Sequence, residues 1–347
     1  MDKFFWLVIV VFAFSCKDKN SVIYHKLSGP TMGTTYHITV QSQDAKALQV
    51  QIDSILMEFN NSMSLYSEQS TLISFNKATD IFCVDKKSDP YFVPIFRKSK
   101  KIYQLSQGAM DPSIAPLVQY YGFGYGKKNK IEELDSAKVA SLKTLLVFGK
   151  LEIIDSSENL ACIKKPNPDI KLDFNAISPG FAVDLLYKYF ESIHLTNFMI
   201  NLGGEIRTKG VNDRNGEWVI GINRPSEDAD ENSVELPLKV SNKAVATSGN
   251  YRNSYESKGQ KYAHIIDPMT GLSRPSDILS ATVIAEDCAT ADGLATAFMV
   301  LGVEKALKLI NELNNVDATF IFDKEGDGIF EFMTSTNMPK YYLHNEQ

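Results

Sequence analysis

Segments with the spacing of helices and segments with the spacing of strands are interleaved along this chain without regular alternation. Residues 36–40 alternate and are rich in β-branched side chains, which predicts a strand. From residue 44 to residue 59, apolar side chains recur at helical spacing. A doubly wound parallel sheet would need strand and helix to follow each other in turn. The observed order instead favours an α+β fold with mixed or antiparallel sheets and flanking helices.

The same periodicities predict the other elements. Further helices are predicted from the turn at 89–90 to residue 105, from 178–180 to residue 193, and over 303–313. Further strands are predicted at 145–149, 151–155, 162–166, 170–174, 198–204, 205–210, 217–223 and up to 277–285. A hairpin is predicted over 318–333 and a polar surface excursion over 127–143. The helix after 180 should turn an apolar face to the core, formed by Val183, Leu186, Phe190 and Ile193.

Length and charge restrict the class of protein. The chain has 347 residues, of which 44% are apolar, which is enough for one large domain or two smaller ones. It carries 36 basic and 42 acidic residues, a net charge of −6. Because nucleic-acid binding needs a surplus of Lys and Arg, nucleic acid is not expected as a partner.

The N-terminus has the pattern of an export signal. The apolar run from Phe4 to Phe14 is too short for a bilayer, which needs about 20 residues. Ser15 precedes Cys16, the arrangement of a bacterial lipoprotein signal. We therefore expect a signal peptide over 1–15, a lipidated Cys16 with a tether over 16–28, and a body over 29–340 that forms one domain or two subdomains. An uncleaved anchor or a plain secretory signal is the alternative, and each version places the body outside the cytoplasm, in the periplasm.

Beyond Cys16, the cysteines are Cys83, Cys162 and Cys288. Their spacing fits neither a metal cluster nor a disulfide framework. Three buried thiols, or one bridge and one spare thiol, are both compatible with an oxidising compartment.

Polar, glycine-containing islands separate the apolar segments, at 29–35, 108–113, 173–180 and 263–271, and a further one at 289–296. Each island alone is explained by turn formation. Asp173 could likewise cap the helix that follows it.

Two islands contain side chains that could bind a metal ion or act as a general base. Asp292 and Thr296 are four residues apart, so a helix would place carboxylate and hydroxyl on one face, where they could bind a hard cation such as Mg²⁺. The alternative for Asp292 is an acid in the first turn of a helix. His264 precedes a turn and is either a structural hydrogen-bonding group or a general base. No spacing of Cys and His suits zinc.

The order and content of these islands resemble the ApbE family of FAD:protein FMN transferases. The matching segments run from residue 29 to about 302: GPTMGTTY, SLYSEQSTLISFN, GAMDPSIAPLV with YYGFG, LDFNAISPGFAVD, NFMINLGGEIRTKG, VATSGNYRN, HIIDPMTG and CATADGLATAFMVLG. One such motif would be weak, but the ordered set is specific.

The resemblance implies a role for each matching residue. FAD contacts are implied for Met32, Tyr66, Ala109, Met110, Asp111, Asp173, Pro179 and Ile266. Magnesium ligands are implied for the Ala176 carbonyl, the Asp292 carboxylate and the Thr296 hydroxyl, and the role of base for His264. Gly203 and Gly204 match a glycine pair in the core of the family fold. The chain departs from the family at Pro179, where relatives often carry Lys or Glu, and at Met269, where relatives often carry Arg.

The implied activity is transfer of the FMN half of FAD to a Thr or Ser hydroxyl of an acceptor flavoprotein, with release of AMP. The implied partners are therefore FAD, Mg²⁺, the acceptor protein and, through the lipid, a membrane. A Mg²⁺-dependent FAD pyrophosphatase and an FAD-binding lipoprotein without turnover are the competing interpretations.

Overall fold

The computed structural model describes residues 23–125, 130–225, 233–250, 254–273, 278–323 and 329–343, so Cys16 and the predicted signal peptide lie outside the described residues. The strands are β1 (Tyr24–Thr31), β2 (Thr34–Gln41), β3 (Ile81–Asp85), β4 (Ile153–Asp155), β5 (Leu160–Lys164), β6 (Phe198–Leu202), β7 (Glu205–Lys209), β8 (Trp218–Asn223), β9 (Val234–Val240), β10 (Ala244–Gly249), β11 (Ser254–Ser257), β12 (Gln260–Ala263), β13 (Ile278–Ala285), β14 (Asp317–Phe322) and β15 (Glu331–Thr334). The helices are α1 (Ala45–Met63), α2 (Thr71–Lys77), α3 (Phe92–Leu105), α4 (Ala115–Tyr120), α5 (Ser136–Lys143), α6 (Ser178–Ser192), α7 (Cys288–Leu301) and α8 (Val303–Glu312). The predicted α+β class is confirmed.

A long antiparallel sheet organises the fold, with the strand order β1-β2-β6-β7-β10-β13-β14-β15. Strands β3, β5 and β4 form a small separate sheet, and β8–β9 and β11–β12 form hairpins. Pairing in β1 already begins at Tyr24, opposite Gln41. The predicted tether over 16–28 is therefore too long at its C-terminal end.

Alternation along the strands gives the long sheet two apolar faces. In β10, Ala244 and Ala246 belong to the main core with the helices, whereas Val245 belongs to a second core. The hairpin β8–β9 covers that second face through Ile220, Ile222 and other apolar side chains. Both faces of the central strands are thus protected from water.

Helix α7 is the most deeply buried helix contacting the sheet, and it packs against β10, β13 and α6. Its small residues also allow a close approach to α3, since a Cβ atom at Gly293 would lie 2.9 Å from the Ile102 Cδ1 atom. Asp292 is buried within this apolar helix. Among the described helices, there is none whose length and apolar character would suffice to cross a bilayer.

A smaller core lies beside the main one. It joins α4, α5, the β11–β12 hairpin and the loop that follows, through Leu117, Tyr121, Val139, Tyr255, Tyr262 and Ile266. The Tyr121 hydroxyl donates to the Gly271 carbonyl at 3.0 Å, which attaches the loop after β12 to α4.

Two sequence predictions of strands were wrong. Residues 145–149 form a loop and a short 3-10 turn, and 170–174 are irregular. In the second segment the Asn76 side chain takes the place of a partner strand, because it accepts from the Leu172 N–H and donates to the Leu172 carbonyl. The described part of the predicted surface excursion, residues 130–143, does lie at the surface with only Val139 buried, but it also contains α5, whose N-terminus is capped by Asp135.

Most element ends differ from prediction by a few residues. Helix α1 continues to Met63, one turn beyond residue 59. Of the predicted apolar face of α6, Val183, Leu186 and Phe190 are buried, but Ile193 lies after the end of the helix and is 42% exposed.

Cys83 and Cys162 form a disulfide between the paired strands β3 and β5, and Cys288 is a buried free thiol. The sequence was compatible with three thiols or with one bridge and a spare thiol, and the second arrangement is therefore the one present. The bridge closes a loop with a sequence separation of 79 residues, for which chain-entropy models give a stabilisation of roughly 4 kcal/mol.

Helices α6 and α7 touch at Gly180. A Cβ atom at this position would lie 2.5 Å from the Cys288 carbonyl oxygen and 2.8 Å from the Asp292 Cβ. Such distances are far below van der Waals contact. The nearest atom, the Cys288 carbonyl oxygen, belongs to the backbone and cannot move aside as a flexible side chain could. Only glycine fits between these helices at their observed separation.

We predict that Gly180→Ala lowers the free energy of unfolding by about 1–3 kcal/mol, because the added methyl group forces the two helices apart. The measurement is urea unfolding followed by circular dichroism. Gly216→Ala is the matched control, since a Cβ there meets nothing closer than 3.7 Å. Equal stability of the two variants would contradict the proposed close packing.

Candidate active site

A cavity of about 540 Å³ opens beside α7, the N-terminus of α6 and the start of β7. With the exception of Met32, the residues predicted to act as FAD contacts, metal ligands and base all line it: Tyr66, Ala109, Met110, Asp111, Asp173, Ala176, Pro179, His264, Ile266, Asp292 and Thr296. Segments far apart in the sequence thus meet at one place. Which molecule or ion each of these residues binds remains a prediction.

Met32 is not among the lining residues of this cavity. It occupies the tight turn between β1 and β2 with φ of +47°, and its side chain packs partly buried against the main core. Met32 therefore belongs to the turn between β1 and β2, and its FAD contact remains a prediction.

Gly203 and Gly204 form the exposed turn between β6 and β7, with φ of +67° and +119°. Their expected place in the core was wrong, because the positive φ values are needed at the hairpin turn.

Asp292 and Thr296 both reach the cavity from α7. Asp292 is only 6% exposed, and its Oδ2 accepts a hydrogen bond of 2.9 Å from the Gly180 N–H. Gly180 is the third residue of α6, so its N–H is one of the N-terminal donors without an intrahelical acceptor, and the Asp292 carboxylate satisfies it. The Thr296 hydroxyl lies 3.2 Å from the Ser248 hydroxyl of β10.

The alternative structural roles for Asp292 and Asp173 do not hold. Helix α7 begins at Cys288, so Asp292 lies beyond its first turn, and the N-cap is Asp287. The N-cap of α6 is Ile177, while Asp173 accepts from the Asn175 N–H at 2.7 Å.

The N-terminus of α7 is fixed by Asp184 of α6. Its two carboxylate oxygens accept from the N–H groups of Cys288 and Ala289, each at 2.9 Å. Arg207 of β7 donates to the same carboxylate at 2.5 Å. This buried acid is thus neutralised by a base and satisfied by helix N–H groups.

Asp292 and Glu205, in contrast, have no base beside them. Among the described residues, no Lys, Arg or His nitrogen lies within 4.0 Å of either carboxylate. Burial, together with the charge of Glu205, raises the pKa of Asp292 well above its usual range. Burial raises the pKa of Glu205 to about 7. Both shifts mean that these carboxyl groups ionise less readily than usual while no positive charge is bound beside them.

This donor set fits a hard divalent cation. Carboxylate, hydroxyl and carbonyl oxygens are the ligands that Mg²⁺ accepts, usually with few protein ligands and the remainder from phosphate and water. The described residues hold no group of three or more His, Cys, Asp or Glu side chains arranged for a metal. A zinc-type centre is accordingly not formed by them, whereas a magnesium site completed by a substrate is compatible with this arrangement.

Two further carboxylates organise the loops on the other side of the cavity. Asp111 accepts from both the N–H and the hydroxyl of Ser113, at 2.8 and 2.6 Å. The Asp173 N–H donates to the Pro112 carbonyl at 2.8 Å, which joins the two loops. Burial raises the pKa of Asp111, and it raises that of Asp173 to about 6.

His264 follows β12 and lines the cavity beside Phe123, whose ring centroid is 6.4 Å away in an edge-to-face arrangement. The turn after it is rigid, since Asp267 accepts from the Met269 N–H and the Thr270 hydroxyl, both at 2.8 Å. Met269 itself is 67% exposed at the surface of this turn.

Several lining residues were not predicted, notably Glu205, Tyr125 and the β10 residues Thr247, Ser248 and Gly249. Tyr125 meets the 78% exposed Tyr66 edge to face, with 6.5 Å between the ring centroids. All of these residues except Tyr125 lie in motifs recognised in the sequence, but no local signal showed which side chains face the cavity.

Comparisons with known proteins identify the family. The ApbE family model matches residues 32–320. An FAD:protein FMN transferase from Vibrio cholerae is 36% identical over 327 residues, which cover 90% of this chain and 91% of the relative. The protein of the same name from Haemophilus influenzae is 32% identical, and the match covers 90% of this chain and 90% of that relative. The solved flavin transferase ApbE from Vibrio cholerae has a TM-score of 0.79 at 33% identity, covering 92% of this chain and 99% of that one. The chain belongs to the ApbE family.

Proposed function

We propose that this chain is an FAD:protein FMN transferase that moves the FMN half of FAD to a Thr or Ser hydroxyl of an acceptor flavoprotein and releases AMP. Relatives covering about nine-tenths of the chain carry this name. The observation that carries the proposal is the meeting of Asp292, Thr296 and His264 in one cavity lined by the predicted flavin-contact loops.

Asp292, Thr296 and the Ala176 carbonyl would hold Mg²⁺. The ion would supply positive charge to the pyrophosphate oxygens and to the departing AMP. Among the described residues, no Lys or Arg pairs with the Asp292 carboxylate, so a bound cation would supply its counter-charge. Thr296 is kept in place by its contact with Ser248.

His264 would take the proton from the acceptor hydroxyl. The hydroxyl oxygen forms a bond to the phosphorus of the FMN half, and the bond from that phosphorus to the bridging oxygen breaks. AMP leaves with the bridging oxygen, and the proton remains on His264 until solvent removes it. The rigid Asp267 turn would hold the imidazole in a fixed position for this step.

The loops at Asp111 and Asp173 would orient the flavin half. Their carboxylates are engaged by neighbouring Ser113 and Asn175 groups, which suits an orienting role better than that of a base. A pyrophosphatase would use the same cavity with water as the nucleophile, and a binding protein would leave FAD intact. Analysis of the products therefore separates the three functions.

We predict that Asp292→Asn reduces FMN transfer by about 100-fold or more, because the cation loses its anionic ligand. The assay uses FAD, Mg²⁺ and a flavin-free acceptor flavoprotein that normally carries FMN on a threonine through a phosphoester. Flavin fluorescence that stays with the acceptor in a denaturing gel measures transfer, and chromatography measures AMP and free FMN.

The matched control is Glu286→Gln, which removes an exposed carboxylate paired with Lys243. Full activity of the Asp292→Asn variant would refute the metal assignment. Release of FMN without labelled acceptor would identify a pyrophosphatase, and intact FAD after long incubation would identify a binding protein.

For His264→Ala we predict slower transfer by about 10²–10⁴-fold, the range for loss of a general base, with FAD affinity retained. Single-turnover labelling measures the transfer rate, and quenching of flavin fluorescence measures the affinity. His37→Ala, at an exposed position of β2, is the control. If the variant instead lost FAD affinity while bound FAD reacted at the normal rate, His264 would be a flavin contact.

We propose further that the enzyme is attached to a bacterial membrane on its periplasmic side by lipid on Cys16. The sequence pattern before Cys16 supports this location, and so does the Cys83–Cys162 bridge, since disulfides persist in oxidising compartments. Strand β1 begins at Tyr24. Residues 17–23, which are mostly polar, would therefore separate the lipidated Cys16 from the sheet.

We predict that Cys16→Ser moves the protein from the membrane fraction to the soluble periplasmic fraction, because the variant has no thiol to acylate. Cell fractionation with immunodetection is the measurement, and Cys288→Ser, at a buried thiol, is the control. Membrane association of the Cys16→Ser variant would contradict lipid anchoring.

A further inference from the structure

Strand β7 presents three charged side chains on one face, at alternate positions 205, 207 and 209. Two of them are bases, and each is paired with an acid of α6. Arg207 bonds to Asp184 at 2.5 Å, and Lys209 bonds to Glu191 at 2.6 Å. At the third position the chain has Glu205, and the neighbouring acid is Asp292 of α7. Where the pattern would place a base against an acid, the chain places a second acid.

Glu205 is held in this position by the turn before it. It is the first residue of β7 and pairs with Leu202 across the hairpin. A Cβ atom on Gly203 would lie 3.4 Å from the Glu205 Oε2, so the carboxylate lies close to the turn while lining the cavity. No side chain among the described residues donates a hydrogen bond to this carboxylate or comes near it as a base.

The Asp292 carboxylate likewise lacks a full set of hydrogen-bond partners among the described residues. It is more than nine-tenths buried, and it receives one hydrogen bond, from the Gly180 N–H to Oδ2. Within the described part of the chain, no group donates to its other oxygen. Leaving a buried carboxylate without a counter-charge destabilises a protein, because desolvation is then not offset. Two such groups lining one cavity are neutralised either by protons or by a cation that both carboxylates face.

We propose that Glu205 is a second acidic partner of the divalent cation held by Asp292, and that it determines how tightly the cation is bound. This rests on the proposed function, because it concerns the same metal. Affinity of oxygen-donor sites for divalent cations rises with the number of charged ligands. Glu205 acts on the ion either as a direct ligand or through a coordinated water.

The test is Mn²⁺ binding to the purified protein at pH 8, measured by electron paramagnetic resonance of free Mn²⁺, with and without ADP as a diphosphate ligand. We expect Glu205→Gln to weaken binding by about tenfold or more, as expected for the loss of one ligand charge. Glu191→Gln is the matched control, since it removes an acid that faces the same strand but is paired with Lys209. Its Mn²⁺ affinity should equal that of the wild type.

Thermal unfolding without metal supplies a second readout that a merely structural role would not give. If Glu205 faces Asp292 without a counter-charge, Glu205→Gln relieves repulsion, so its metal-free Tm should equal or exceed that of the wild type. Its Tm increase on addition of Mg²⁺ should be smaller. Glu205→Lys should raise the metal-free Tm and abolish Mn²⁺ binding, because a base would then pair with Asp292 as Arg207 pairs with Asp184.

Each remaining outcome overturns the inference. If the Glu205→Gln variant binds Mn²⁺ with wild-type affinity, the cation is held without Glu205. If the metal-free Tm of that variant is also raised, the two acids merely share a proton. A metal-free Tm below that of the wild type would show a structural role. Absence of Mn²⁺ binding to the wild type, with and without ADP, would refute the cation site and the inference together.

Discussion

The contact of α6 with α7 at Gly180 is the constraint on which the site depends. Because glycine has no Cβ, the first turn of α6 can approach Cys288 and Asp292 so closely that its N–H bonds to the buried carboxylate. One small residue thereby sets both the packing of α6 on α7 and the orientation of the Asp292 carboxylate.

Charge is treated differently in the scaffold and in the cavity. Asp184 is satisfied by two helix N–H groups and by Arg207, which fixes α7 against α6 and β7. In the cavity, in contrast, no Lys, Arg or His of the described residues forms an ion pair with Asp292 or Glu205. Leaving these acids unpaired lowers the stability of the fold. This local loss of stability supports the proposal that a positive ion binds there.

Regular periodicity made much of the fold predictable, and its failures have local causes. The alternation in 36–40 and the helical spacing in 44–59 were decisive because each segment buries one face. Residues 170–174 have the composition of a strand, but Asn76 satisfies their backbone instead. The site itself followed from ordered motifs, yet Glu205 was missed, since a lone acid beside glycines carries no signal until the hairpin turn places it in the cavity.

The chemistry of the site is divided between two packed units. Asp292 and Thr296 belong to α7 and the main core, whereas His264 follows β12, and its loop is attached to the smaller core through Tyr121 and Gly271. A displacement of the smaller core would move the base without changing the oxygen donors of α7. The proposed cation site is therefore structurally independent of the turn that contains Met269. Because that turn adjoins His264, a substitution at the exposed Met269 would alter how an acceptor hydroxyl is presented to the proposed base, and would leave the oxygen donors of α7 in place.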